Sequence, residues 1–126
     1  MEYKIHHYNS ISVAEVTKCS SQLCDNVQIL DLMANTQYNN AAGIILRKEF
    51  LHPSFFDLKT GLAGEILQKF SNYRMRLAIV GDFSGFKSKS LQDFIRESNR
   101  TGRIIFVQSL EEAINRLCGV KSEAGL

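Results

Sequence analysis

Residues 3–8 and 11–16 are two short runs in which apolar and polar side chains mix at strand spacing. Tyr3, Ile5, Tyr8, Ile11 and Val13 fall close together, with the polar pair Asn9-Ser10 between the runs. Two strands joined this closely predict an antiparallel hairpin. The period then lengthens. Leu23, Val27, Leu30 and Ala34 mark one helical stripe, widened by Ile29 and Met33, which predicts a helix over 21–36 capped by Ser20, Ser21 or Asp25. Ile44-Ile45-Leu46 is a short apolar strand that leaves through the charged Arg47-Lys48-Glu49. Residues 50–56 read as irregular and carry the single proline, Pro53, with Phe55 and Phe56 as anchors to the core.

The stretch 55–82 organises the rest. From Thr60, apolar residues fall at Leu62, Ile66 and Phe70, with Ala63 and Leu67 beside them and Glu65, Gln68 and Lys69 opposite. That is one face of a helix, for which Asp57 and Thr60 are candidate N-caps. The run Leu77-Ala78-Ile79-Val80 is continuously apolar, as a strand covered on both faces should be, and Gly81-Asp82 ends it. Ser88 or Ser90 caps a third helix with Leu91, Phe94 and Ile95 inside, and 103–107 form a fifth strand. Ser109 followed by Glu112 fits a capping box, and Leu110, Ala113, Ile114 and Leu117 make the inner stripe of a last helix that Gly119 stops. Residues 1–119 therefore read as one α/β domain, and 120–126 as a flexible tail.

The element order is β-β-α-β-α-β-α-β-α. Strands alternating with helices should be parallel with right-handed crossovers, and the hairpin adds an antiparallel strand. The expected fold is a mixed, mostly parallel sheet of about five strands with four helices. Apolar residues in the hairpin outnumber what one face of two short strands needs, which suggests a symmetric homodimer through that edge.

Composition narrows the function classes. With 44% hydrophobic and 22% charged residues over 126 positions, the chain can bury a core without staples. A net charge of +2, with no basic run interleaved with aromatics, argues against nucleic acid as a partner. No apolar run approaches the ~20 residues of a bilayer span, and the start Met1-Glu2-Tyr3-Lys4 has no signal-peptide core, so a cytoplasmic protein without a membrane role is expected. Cys19, Cys24 and Cys118 are an odd set without CxxC spacing, which reads as reduced thiols. His6 and His7 are adjacent on a strand and point to opposite faces, a poor start for a metal site. Neither GxGxxG nor GxxxxGK[ST] occurs, and no cofactor is implied.

Two resemblances follow. The blocks FFDLKTGLAGEILQKFSNYRMRLAIVGDFS, SKSLQDFIRESN, IFV and EEAINRL are similar to those of a bacterial family called domain of unknown function 4180, which implies a bacterial source and no particular chemistry. More broadly, Asp57-Leu58-Lys59-Thr60-Gly61-Leu62-Ala63-Gly64 resembles the Asp-Ser-Ser-Gly-Leu-Gly motif of STAS domains, the anti-sigma-factor-antagonist fold. Arg76 to Gly81 is similar to the strand that follows there, and Ser109 to Ala113 to the last helix. The resemblance implies a STAS-like regulatory module. Leu58 stands where the family's phosphorylated serine would be, so that switch does not carry over; Thr60 is the nearest hydroxyl.

In open α/β sheets ligands bind beyond the carboxyl ends of the strands. Lys48, Asp82 and Ser84 leave the third and fourth strands there, and Asp57, Lys59, Thr60 and Gly61 should lie on the same edge. These seven are the candidate binding residues for a protein partner or a small anion, each with a plain alternative as a solvated loop residue or a cap. Gly61 and Gly64 either allow close packing of the helix on the sheet or let a partner approach its N-terminus. No catalytic or metal-ligating residue is assigned, because neither Cys19 with His52 nor Asp57 with Asp82 sits in a hydrolase motif. The expected function is a non-enzymatic cytoplasmic binding or regulatory module of bacterial origin. The alternative is a small enzyme or small-ligand or anion-binding protein that uses the same edge.

Overall fold

The computed structural model describes residues 2–19 and 26–120. Five strands form one sheet in chain order: β1 (Glu2–Tyr8), β2 (Ile11–Lys18), β3 (Gly43–Arg47), β4 (Arg76–Val80) and β5 (Ile104–Val107). β1 pairs antiparallel with β2, and all later pairings are parallel. The four helices are α1 (Asn26–Tyr38), α2 (Leu62–Asn72), α3 (Lys89–Thr101) and α4 (Leu110–Cys118). This is the mixed, mostly parallel α/β fold that the hydrophobic pattern predicts. None of the described helices is long and apolar enough to cross a membrane.

Local chemistry accounts for the boundaries. The hairpin turns on Asn9 and Ser10, both with positive φ (54° and 63°), which matches the right-handed twist of the flanking strands. Ser88 accepts the Leu91 N–H to cap α3, and Gly102 ends that helix in the left-handed region. Ser109 caps α4 by accepting the Glu112 N–H at 3.1 Å, while the Glu112 carboxylate reaches back to the N–H of Gln108 rather than of Ser109. α1 runs to Tyr38, two residues past the expected end, and the expected start at 21 lies outside the described residues.

The helix expected from Thr60 starts later. Gly61 has φ 77°, which interrupts the helical dihedrals, so residues 58–60 form a separate 3-10 turn and α2 begins at Leu62. Asp57 caps the short turn through the Lys59 N–H, and the Thr60 hydroxyl accepts the Leu62 N–H. Two more 3-10 turns, Lys48–Phe50 and Pro53–Phe56, order the segment expected to be irregular.

Successive crossovers all step the same way along the sheet, so crossovers of one hand place their helices on one face. α1, α2 and α3 indeed share a face, packed on Val16, Ile44, Leu46, Leu77, Ile79, Ile104 and Phe106. α4 covers the other face, where Ala113, Leu117 and Cys118 meet Val13, Ile45, Ala78, Ile105 and Val107. Val120 packs there too and donates its N–H to Asn115 O. β1 is an edge strand that leaves Ile5 and Tyr8 38% and 47% exposed.

Candidate functional site

The parallel strands deliver their carboxyl ends to one edge, and two adjoining cavities open there. One, of about 220 Å³, lies on the α4 side and is lined by Glu15, Ile45, Ser109 and Leu110 among others. The second, of about 530 Å³, reaches over the strand ends to Glu49, Gly81, Asp82 and Ser84. Arg47, Val80 and Gln108 line both. Register explains why. Arg47 stands beside Val80 across β3 and β4, and strand alternation puts it on the same face as Ile45.

Several of the expected residues hold this edge together. The Lys48 ammonium donates to Asp82 O at 2.8 Å and sits 5.5 Å from the centre of the Phe86 ring. Asp82 Oδ1 accepts both the Ser84 N–H (2.9 Å) and the Ser84 hydroxyl (2.7 Å). Those bonds, the hydroxyl first, hold the Asp82 carboxyl below its usual pKa. An acid held ionised in this way is a poor proton donor and a weak base at neutral pH. Gly81 permits the close approach of the two strand exits, since a Cβ there would stand 2.8 Å from Lys48 Cβ.

Asp57, Lys59, Thr60 and Gly61 form a second group. The Thr60 hydroxyl donates to Ser54 O (2.7 Å) and Asp57 O (2.9 Å), which closes the turn on itself. The group is tied to the first through rings: Phe56 stacks on Phe86 at 4.8 Å and lies 6.2 Å from Phe83. All four residues are exposed, and none of them lines the two cavities.

Of the residues lining the two cavities only Asp82 and Ser84 were among the expected seven, and two of the others, Arg47 and Glu15, bear on the chemistry of this edge. Arg47 lines both cavities, and its guanidinium has no hydrogen-bond or ion-pair partner among the described residues. Glu15 lies mid-strand, with its carboxylate 2.8 Å from His6 Nε2. His7 faces the other way, to the Ser12 hydroxyl at 2.7 Å. The sequence signals were an arginine closing an apolar strand and the one charged residue inside the β2 core run.

Packing does not explain Gly64. A Cβ added there would meet nothing within 4 Å, and the residue is exposed near the start of α2. Gly64→Ala should therefore raise stability, by up to about 1 kcal/mol, read as a higher denaturant midpoint. An unchanged or lower midpoint would mean that α2 needs the glycine for another reason.

A family model described as Domain of unknown function (DUF4180) matches residues 8–117. The chain belongs to this family. The DUF4180 match takes in β2 to β5 and both cavities at the strand ends, while most of β1 precedes it. No curated protein and no solved structure matches the chain.

Proposed function

We propose that this DUF4180 protein is a non-enzymatic binding or regulatory module of the bacterial cytoplasm, and that its recognition surface is the carboxyl edge of the sheet. The observation that carries the reading is Arg47. Its neighbours Lys48, Asp82 and Ser84 are engaged in fixing the loops, whereas Arg47 lines two open cavities and its guanidinium has no partner among the described residues. A free guanidinium beside Gln108 and Ser109 suits an acidic group on a protein partner or a small anion. The depressed Asp82 and the fixed Lys48 favour binding over acid–base chemistry at this edge. A STAS-like ancestry is part of the proposal. It is supported by the element order and by the helix that starts just after the Asp57-to-Gly61 segment.

The test uses the folded chain as bait in a bacterial lysate, beside Arg47→Glu and Lys59→Glu. Arg47→Glu should lose the captured partner while its unfolding free energy stays within about 0.5 kcal/mol of wild type, as expected of an exposed, unpaired side chain. Lys59→Glu asks whether the neighbouring turn belongs to the same surface. Equal recovery of the same partners by all three folded proteins would sink the assignment.

A further inference from the structure

Three arginines converge at the opposite end of the sheet. Arg76 opens β4, Arg103 immediately precedes β5, and Arg116 lies in the last turn of α4. Arg76 donates through Nε to Gly102 O (2.9 Å) and through Nη1 to Arg116 O (3.2 Å). Arg103 Nη1 donates to Met75 O at 3.1 Å, and Arg116 Nη2 to Asn99 O at 3.1 Å. These carbonyls belong to the ends of α3 and α4 and to the exit from α2, so the cations sit where helix C-termini gather.

Capping helix ends does not use these groups up. Each guanidinium has five N–H donors, and the bonds occupy one or two of them. Three unit charges also exceed the roughly half a negative charge that each helix end presents, so the local charge is positive. No carboxylate lies within ion-pair distance of Arg76, Arg103 or Arg116 among the described residues. Arg96 and Arg100, on nearby α3, each have their own acid in Asp93 and Glu97. Burial, then the charges of Arg116 and Arg103, hold the Arg76 pKa below the ordinary arginine value. A shallow cavity of about 190 Å³ lies against Arg76, Thr101, Gly102 and Arg103. Gly102, in the left-handed region at φ 87°, leaves the Arg76 guanidinium uncovered on that side.

We propose that this cavity binds the phosphate group of a small phosphorylated molecule, with Arg76 and Arg103, which line it, as its ligands and Arg116 as a third positive charge beside them. Planar guanidinium forks match phosphate oxygens. One fork satisfies a carboxylate, whereas two at one cavity, with a third cation beside them, suit a dianion with several acceptor oxygens. The cavity's size suits a single phosphate or diphosphate head rather than a polymer. The site is separate from the Arg47 edge and does not depend on it.

Titration of the full chain with inorganic phosphate and with pyrophosphate, at ionic strength held constant with sodium chloride, tests this by amide NMR. Saturable shifts should appear at residues 101–103, and the tighter of the two anions tells a monophosphate head from a diphosphate one. Arg103→Gln should weaken binding by about tenfold or more, the size of a lost charge-assisted hydrogen bond, and Arg116→Gln should weaken it about threefold by removing the charge beside the cavity. Arg116 is exposed, so its variant keeps the test open if Arg103→Gln fails to fold. Arg47→Gln should leave these shifts unchanged, which keeps the two edges distinguishable. Shifts that never saturate, or a folded Arg116→Gln that binds as wild type does, would overturn the proposal.

Discussion

Phe55→Ala should lower the unfolding free energy by about 3–5 kcal/mol, the range for removing a large buried aromatic. Phe55 is fully buried and stands where the Pro53–Phe56 turn meets the sheet. Its ring lies 5.0 Å from Phe56, edge to face, and 6.4 Å from Phe106 of β5. Phe83 closes the same cluster, 5.2 Å from Phe106. Truncation would leave a cavity whose far walls are sheet residues that cannot collapse into it. Small domains are stable by only about 5–15 kcal/mol, so this one change removes about a fifth of that or more. The loops that frame the carboxyl edge hang on the same rings, so their amides should also exchange faster. Urea unfolding followed by circular dichroism measures the loss. A cost below about 1.5 kcal/mol would show that the ring cluster is not close-packed.

The second large effect is expected at the hairpin. Glu15→Ala should cost about 1–3 kcal/mol, because it strands a buried imidazole N–H. The His6 and Glu15 side chains are only 12% and 11% exposed, and their 2.8 Å contact crosses from β1 to β2 on the α4 face. A carboxylate only accepts hydrogen bonds, so His6 Nε2 carries the proton. Replacing both partners with apolar groups of similar size, His6→Phe with Glu15→Leu, should recover most of the loss, since nothing polar is then left unpaired. Urea midpoints of the two single variants and the double variant decide it. A double variant as unstable as the sum of the singles would mean that the pair contributes something other than mutual satisfaction.

The strands and helices were legible because period and punctuation agreed: apolar runs for β3 to β5, a 3.6 stripe for α2, serines before α3 and α4, glycines after them. The start of α2 was misplaced because Asp57 caps the preceding 3-10 turn, while Thr60 ends that turn and reaches α2 only through the Leu62 N–H, with Gly61 breaking the helical dihedrals between them. Position on the strand exits correctly brought Lys48, Asp82 and Ser84 together. It could not show that backbone and hydroxyl partners engage them. Glu15 was within reach of the sequence, since the two-residue turn at 9–10 pairs Tyr8 with Ile11 and so sets Lys4 against Glu15, with His6 diagonal to it. The arginine cluster was not. Arg76, Arg103 and Arg116 come from a strand start, a helix exit and a helix end, and only the sheet order brings them together.

The lone position of α4 has a consequence during synthesis. Strand order follows chain order, so each new strand emerging from the ribosome finds its neighbour already in place, and no strand has to wedge between two others. The layer formed by α1, α2 and α3 is likewise made along the way. The opposite face is different, because its cover, α4, is made only after all five strands. Until α4 lands, Val13, Ile45, Ala78, Ile105 and Val107 form a bare apolar stripe across an otherwise finished sheet. Nascent chains stalled at that point offer a chaperone, or each other, a surface that the completed fold hides.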